Sequence, residues 1–225
     1  MIQKSEIRIC EQRVNLFFST ISDFHQGSRK ETHRTNDRFN VDPNKTREKL
    51  SHQKIAGRVL LNHLLHERGL NPDISQITIG RYGKPKLAKQ NFEFNISHDS
   101  DLVVLAMHET FPVGVDVMKR GNVNFDNDVI RVFSTKSEWT SLCRGPAGGQ
   151  LENSLRLFTA KEAAVKAIGT GFHADPCKLE FGKYPKKNSV SKIEFQGKTI
   201  VVASDVKWSQ PEYLLSCALD LTCEK

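Results

Sequence analysis

Residues 155–169, LRLFTAKEAAVKAIG, read as a single helix. Apolar residues recur at Leu155, Phe158, Val165 and Ile168, close to the helical period, and alanines fill the small positions between them. Gly169 stands where a left-handed C-terminal cap belongs. Glu162 and Lys166 are four residues apart, so they share one face of this helix. Taken alone, such a pair is a surface ion pair contributing roughly a few tenths of a kcal/mol. The rest of the chain changes that reading. Residues 111–117, FPVGVDV, form an apolar strand with Asp116 inside it. Burying an ionised carboxylate is costly, so Asp116 must meet a cation or a hydrogen-bond donor.

A chain of 225 residues is long enough for one large domain or two small ones with a sizeable core. No run approaches the ~20 apolar residues that span a bilayer. The N-terminal residues carry charges and lack the apolar core of a signal peptide, so a cytoplasmic location is expected. The five cysteines (Cys10, Cys143, Cys177, Cys217 and Cys223) are odd in number and form no CxxC pair. They read as reduced thiols, and no His/Cys cluster has zinc-ligand spacing. Lys and Arg number 33 against 26 Asp and Glu, a net charge of +7. Nucleic acid, a phosphorylated small molecule and an acidic protein would all suit that charge. The three tyrosines and two tryptophans form no stacking array, which weakens a single-strand-binding reading.

Residues 14–18 read as a strand, and residues 23–44 as a polar, basic surface loop carrying Arg29, Lys30, Arg34 and Arg38. Asp42-Pro43 offers a helix start, with Leu50, Ile55, Val59, Leu60, Leu64 and Leu65 as the buried face and Gly69 as the stop. Residues 74–79 form a short strand, and residues 81–85, RYGKP, a turn. Residues 92–96 alternate as a strand running into a turn at 97–100, and residues 102–107 are a continuous apolar strand. A helical zone at 126–142 contains Thr135 and Glu138 at capping-box spacing. Residues 178–181, 192–195, 198–203 and 213–221 read as antiparallel strands. With no regular βαβ alternation, the class is α+β. The two halves, 1–111 and 112–225, look alike in coarse order, each expected to be a long helix on a small antiparallel sheet with a cleft between them, and no sequence repeat links them. Lys119, Arg120 and Lys161 read as surface charge.

Four motifs stand in order: Tyr82-Gly83-Lys84-Pro85, Phe94-Asn95-Ile96-Ser97-His98, Val113 to Lys119 (VGVDVMK), and Lys161-Glu162 followed by Lys166 and Gly169. Their order and spacing resemble the 4′-phosphopantetheinyl transferases of the broad-specificity, Sfp-like class. The form VGVDVMK looks like the animal enzymes, which serve fatty acid synthase and aminoadipate-type reductases. The resemblance spans about half the chain, from Ala56 to Phe181. It implies that a serine of an apo carrier protein attacks coenzyme A at the pantetheine-side phosphorus and that 3′,5′-ADP leaves. Asp116 and Glu162 would hold Mg²⁺. Glu162 would also take the serine proton, directly or through a water, and Lys166 would stabilise the leaving phosphate. Arg81, Tyr82, Gly83 and Lys84 would contact coenzyme A beside a glycine turn. Asn95, Ile96, Ser97 and His98 would form a turn offering backbone N–H groups as an anion nest, with His98 donating to the 3′-phosphate. Arg38 or Arg34 would supply a further 3′-phosphate contact.

Two departures matter. Met118 stands where many bacterial relatives carry Glu, which implies a two-carboxylate metal site with extra water. Phe158 replaces the usual Trp three residues before the Lys-Glu pair and keeps an apolar anchor. The resemblance further implies a monomer whose partners are carrier domains of fatty acid, polyketide, peptide or aminoadipate-type enzymes, with no nucleic acid and no membrane. The competing reading is a non-enzymatic basic α+β module that binds nucleic acid, supported by the net charge and the basic residues 29–38.

Overall fold

The computed structural model describes residues 1–23, 52–70, 77–88, 91–121, 125–145, 149–171 and 175–222. Arg34, Arg38, the Asp42-Pro43 helix start and Leu50 lie outside these residues. In chain order the elements are strands β1 (Gln3–Ile9) and β2 (Gln12–Thr20), helix α1 (His52–Glu67), strands β3 (Ile77–Ile79), β4 (Pro85–Leu87), β5 (Glu93–Asp99), β6 (Leu102–His108) and β7 (Val113–Lys119), helices α2 (Asn127–Phe133), α3 (Lys136–Cys143) and α4 (Gln150–Ile168), and strands β8 (Ser189–Phe195), β9 (Lys198–Ser204) and β10 (Tyr213–Asp220). The class is α+β, as the mixed strand and helix pattern implied.

Period-two alternation builds the layers. Two four-stranded antiparallel sheets, ordered β1-β2-β6-β5 and β7-β10-β9-β8, pack face to face. Val14, Leu16 and Phe18 of β2 and Leu102, Val104 and Ala106 of β6 enter the shared core with Val113, Val115 and Val117 of β7 and Leu215, Cys217 and Leu219 of β10. The alternate residues face outward onto helices. Phe17, Val103, Leu105 and Met107 meet Leu60, Leu61, Leu64 and Leu65 of α1. Ile200, Val202 and Ala218 meet Ala160, Ala163, Ala164 and Val165 of α4. The layers are therefore helix, sheet, sheet, helix. β6 reads as an unbroken apolar run from Leu102 to Met107 because both of its faces are covered, and β10 is buried along its whole length.

Several expectations are corrected. Ile55 (47% exposed) and Val59 lie on the open side of α1, not its buried face. The helical zone at 126–142 is two helices, because Ser134 and Thr135 take extended backbone and Thr135 opens a new capping box with Glu138. Residues 176–178 form a 3₁₀ turn in place of a strand beginning at Lys178; Pro176 lacks the N–H a ladder needs, and Asp175 caps the turn through Cys177 N. No helix among the described residues is long and apolar enough to cross a membrane.

Gly114 is required by close approach. A Cβ there would lie 2.0 Å from Ala163 O and 2.3 Å from Ala167 N, so α4 crosses β7 in direct contact with its backbone. A second tie holds the other side of α4. Lys161, only 2% exposed, donates to Glu138 Oε2 at 2.7 Å and to Pro176 O at 2.8 Å. Glu138 also accepts from Thr135 N and Phe181 N. Lys161 is thus an internal link between α3 and α4, and the surface-charge reading is corrected. Arg120 is likewise engaged, with Glu152 and Asp205. Glu138→Ala is expected to cost about 3–5 kcal/mol, because it strands a buried ammonium; a urea midpoint close to that of the unsubstituted protein would contradict this.

The β6–β7 connection is closed by a histidine. The buried His108 accepts on Nδ1 from Thr110 N at 3.0 Å and Phe111 N at 2.8 Å. Desolvation holds its imidazole below the ordinary 6.5. A proton on Nδ1 would break both hydrogen bonds. The unfolded chain therefore takes up the proton first as pH falls, and the stability this residue confers is present above about pH 6.5 and lost as pH drops through the lower folded value. His108→Asn, which keeps an acceptor and removes the titration, is expected to flatten the decline of stability between about pH 7 and 5 in denaturant titrations.

Candidate active site

The two sheets meet edge to edge at β5 and β7, and the seam is made by side chains. Asn95 Oδ1 accepts from Val115 N at 2.9 Å, Ser97 Oγ from Val117 N at 3.4 Å, and Asp99 Oδ2 from Lys119 N at 2.6 Å. Acceptors at every second residue of β5 thus satisfy the free N–H groups along the edge of β7. This corrects the expected turn at 97–100. Asn95 to His98 lie in a strand paired with β6, Asn95 opposite Ala106 and His98 opposite Val103, so they form no anion nest. Asn95 is buried in the seam, and the Ile96 side chain packs toward α1, within 3.2 Å of where a Cβ on Gly57 would sit. Asp99 carries a part in the seam that the sequence reading missed. Its signal was polar residues at 95, 97 and 99 alternating with the apolar Phe94 and Ile96.

Asp116 lies on the face of β7 that α4 covers, the same face as Gly114. Its Oδ1 accepts from Ser97 Oγ at 2.9 Å and from Lys166 Nζ at 2.6 Å, and Lys166 also reaches Ser97 Oγ at 3.1 Å. Lys166 therefore pairs across the interface with the strand aspartate, not along its own helix with Glu162. Asp116 is the more buried of the two carboxylates, and a charge pair is less screened there.

Glu162 lies one turn before Lys166 on the same helix. Among the described residues none donates a hydrogen bond to it. Burial, and then the neighbouring charge of Asp116, raise its carboxyl to about 6, with Lys166 pulling the other way. Two hard oxygen donors that repel each other in a partly desolvated site are the donor set a small divalent cation relieves. No group of three or more His, Cys, Asp or Glu side chains placed to hold a metal ion occurs among the described residues.

His98 stands exposed on β5 beside this group. Desolvation, and then the Lys166 charge, keep its imidazole below the ordinary value. Arg81, Tyr82 and Gly83 form an exposed turn in which Gly83 has φ +87° and the Arg81 guanidinium lies over the Tyr82 ring. Lys84 differs from its neighbours. It is 9% exposed, and its Nζ donates to Val113 O at 2.9 Å and Ala167 O at 3.2 Å. Its ammonium is turned into the protein, away from any ligand the turn could hold.

Comparison with known proteins gives the same family from both halves. Residues 112–218 match the family described as 4′-phosphopantetheinyl transferase superfamily, and residues 30–110 match 4′-phosphopantetheinyl transferase, N-terminal. The chain is similar to L-aminoadipate-semialdehyde dehydrogenase-phosphopantetheinyl transferase of Rattus norvegicus, 31% identical over 173 residues that cover 70% of this chain and 56% of the relative. The Homo sapiens protein of the same name is 34% identical over 164 residues, covering 62% and 49%. A Bacillus pumilus 4′-phosphopantetheinyl transferase is 31% identical over 137 residues, covering 60% and 54%. The chain spans about half the length of the relatives it matches. Matched in succession by both models and carrying Asp116, Glu162 and Lys166 at one seam, the chain belongs to the 4′-phosphopantetheinyl transferase superfamily.

Proposed function

We propose that this chain transfers the 4′-phosphopantetheine arm of coenzyme A to a serine of an apo carrier protein and releases 3′,5′-ADP. The observation that carries the reading is the placing of a desolvated Glu162, to which no described residue donates a hydrogen bond, beside the Lys166–Asp116–Ser97 group at the junction of the two sheets. A nucleic-acid module has no use for a partly buried carboxylate raised toward neutrality, whereas proton transfer at pH 7 does.

Glu162, ionised at neutral pH yet basic for a carboxylate, accepts the proton of the carrier serine, directly or through a water. Lys166 presents a compact positive charge to the phosphate that leaves as 3′,5′-ADP. Ser97 and Asp116 hold that ammonium in place. Asp116 and Glu162 would hold Mg²⁺, which when bound offsets charge on the pyrophosphate oxygens. His98 would donate to the adenosine 3′-phosphate, with Arg38 or Arg34 as a further contact, and Arg81 would contact coenzyme A beside the glycine turn. We infer halves at 1–111 and 112–225, a cytoplasmic monomer, and carriers of the fatty acid synthase, aminoadipate-type reductase, polyketide or peptide-synthase kind.

The decisive measurement is intact-mass spectrometry of apo carriers of these classes incubated with the protein, coenzyme A and Mg²⁺. A gain of one phosphopantetheine per carrier, with release of 3′,5′-ADP, is expected; unchanged mass across all of them overturns the reading. A thermal shift separates the alternative, since coenzyme A with Mg²⁺ should raise the melting temperature far more than an oligonucleotide does.

A further inference from the structure

Taking the transferase reading as given, we propose that Lys84 is a positioning residue: its buried ammonium pins the strand that carries Asp116 to the helix that carries Glu162 and Lys166, and it is not a contact to substrate phosphate. Its two acceptors define the role. Val113 O opens β7, three residues before Asp116, and Ala167 O belongs to the last turn of α4, next to Lys166. Carbonyls in the last turn of a helix have no partner within it, and a cation there also meets the negative end of the helix dipole.

No carboxylate among the described residues pairs with Lys84. A buried ammonium without a counter-charge is costly, and burial lowers this one to about 8. A leucine or methionine would fill the same space without that cost, so the charge is retained for the hydrogen bonds it makes. The turn that delivers Lys84 is itself rigid, closed by Gly80 N to Lys84 O and Gly83 N to Gly80 O, both 2.9 Å. It packs directly on the chain leaving α4. A Cβ on Gly169 would lie 3.4 Å from Lys84 Cδ, and one on Gly171 would lie 3.4 Å from Tyr82 O. Both glycines have positive φ, +80° and +56°, so the helix exit and the turn are shaped to each other. The Tyr82–Pro85 motif and the Lys166–Gly171 segment thus form one junction. Asp116 and Lys166 sit on either side of it, and sliding of β7 along α4 is what would separate them.

The test has two arms. The first uses the unsubstituted protein: amine acetylation followed by mass spectrometry, with and without 3′,5′-ADP. Lys84 is expected to react far more slowly than its exposed neighbour Lys86 in both conditions. Rapid reaction of Lys84 in the free protein, with protection on adding 3′,5′-ADP, overturns the proposal. The second arm compares Lys84→Met with Lys86→Met. Lys84→Met is expected to lower turnover at saturating coenzyme A by roughly tenfold or more while leaving the Kd of 3′,5′-ADP unchanged, because reacting groups are misplaced without loss of a phosphate contact. Lys86→Met is expected to change neither. A weakened Kd with turnover retained at saturation overturns the proposal. If Lys84→Met fails to fold, the acetylation arm decides. If the unsubstituted protein modifies no carrier while Lys84 stays unreactive, the transferase reading fails and the pin stands.

Discussion

Gly114→Ala is expected to lower the melting temperature by roughly 10 °C, because among the described glycines Gly114 has the closest neighbours to an added methyl group. The reason is space rather than backbone conformation. The added Cβ would fall 2.0 Å from Ala163 O and 2.3 Å from Ala167 N, and both neighbours are helix backbone that cannot rotate aside. Either β7 or α4 must move by more than an ångström. Overpacking of this kind costs about 3 kcal/mol or more, a large part of the ~5–15 kcal/mol that holds a domain folded. The displacement also separates Asp116 from Lys166, now 2.6 Å apart, so transfer should fall even well below the melting temperature. Calorimetry and carrier modification on the same preparation test both statements. A melt within about 2 °C of the unsubstituted protein would show that α4 does not lie on β7 as described.

Glu162→Gln is expected to move stability and activity in opposite directions. The carboxyl titrates near 6 when folded against an ordinary 4.5, so the folded protein binds its proton more tightly than the unfolded chain. Stability from this residue is present below about pH 4.5 and lost as pH rises through about 6, and at pH 7.5 the full penalty is felt. Removing the charge recovers about 1–2 kcal/mol, a rise of a few degrees in melting temperature without Mg²⁺. The same change removes the proton acceptor and one of two metal-oxygen donors, and turnover should fall by about 10²–10⁴. Mg²⁺ should stabilise the unsubstituted protein more than the variant. A variant that is both less stable at pH 7.5 and fully active would sink the assignment of Glu162.

The seam between the sheets shows where local pattern stops informing. The apolar period identified α4, and Gly169 marked its end with the left-handed cap found at φ +80°. The polar break in the strand at 113–117 correctly required a partner for Asp116. The partner itself was not readable. Helical spacing put Glu162 opposite Lys166, whereas the shorter route for the ammonium runs across to β7. Lys161 looked like surface charge because its neighbour Glu138 lies twenty-three residues away on another helix. Lys84 and Asn95 belonged to a motif whose resemblance implied ligand contacts, yet their side chains hold backbone groups of β7.

What the sequence determined by itself was the long helices and most of the strands, the α+β class, the family and the identity of the charged residues, since these rest on local periodicity, cap chemistry and motif spacing. What only the tertiary structure decided was which charges meet. Hydrogen bonds and ion pairs depend on distances of a few ångströms between segments far apart in sequence, and those distances are set by how closely α4 lies on Gly114 and how β5 meets the edge of β7.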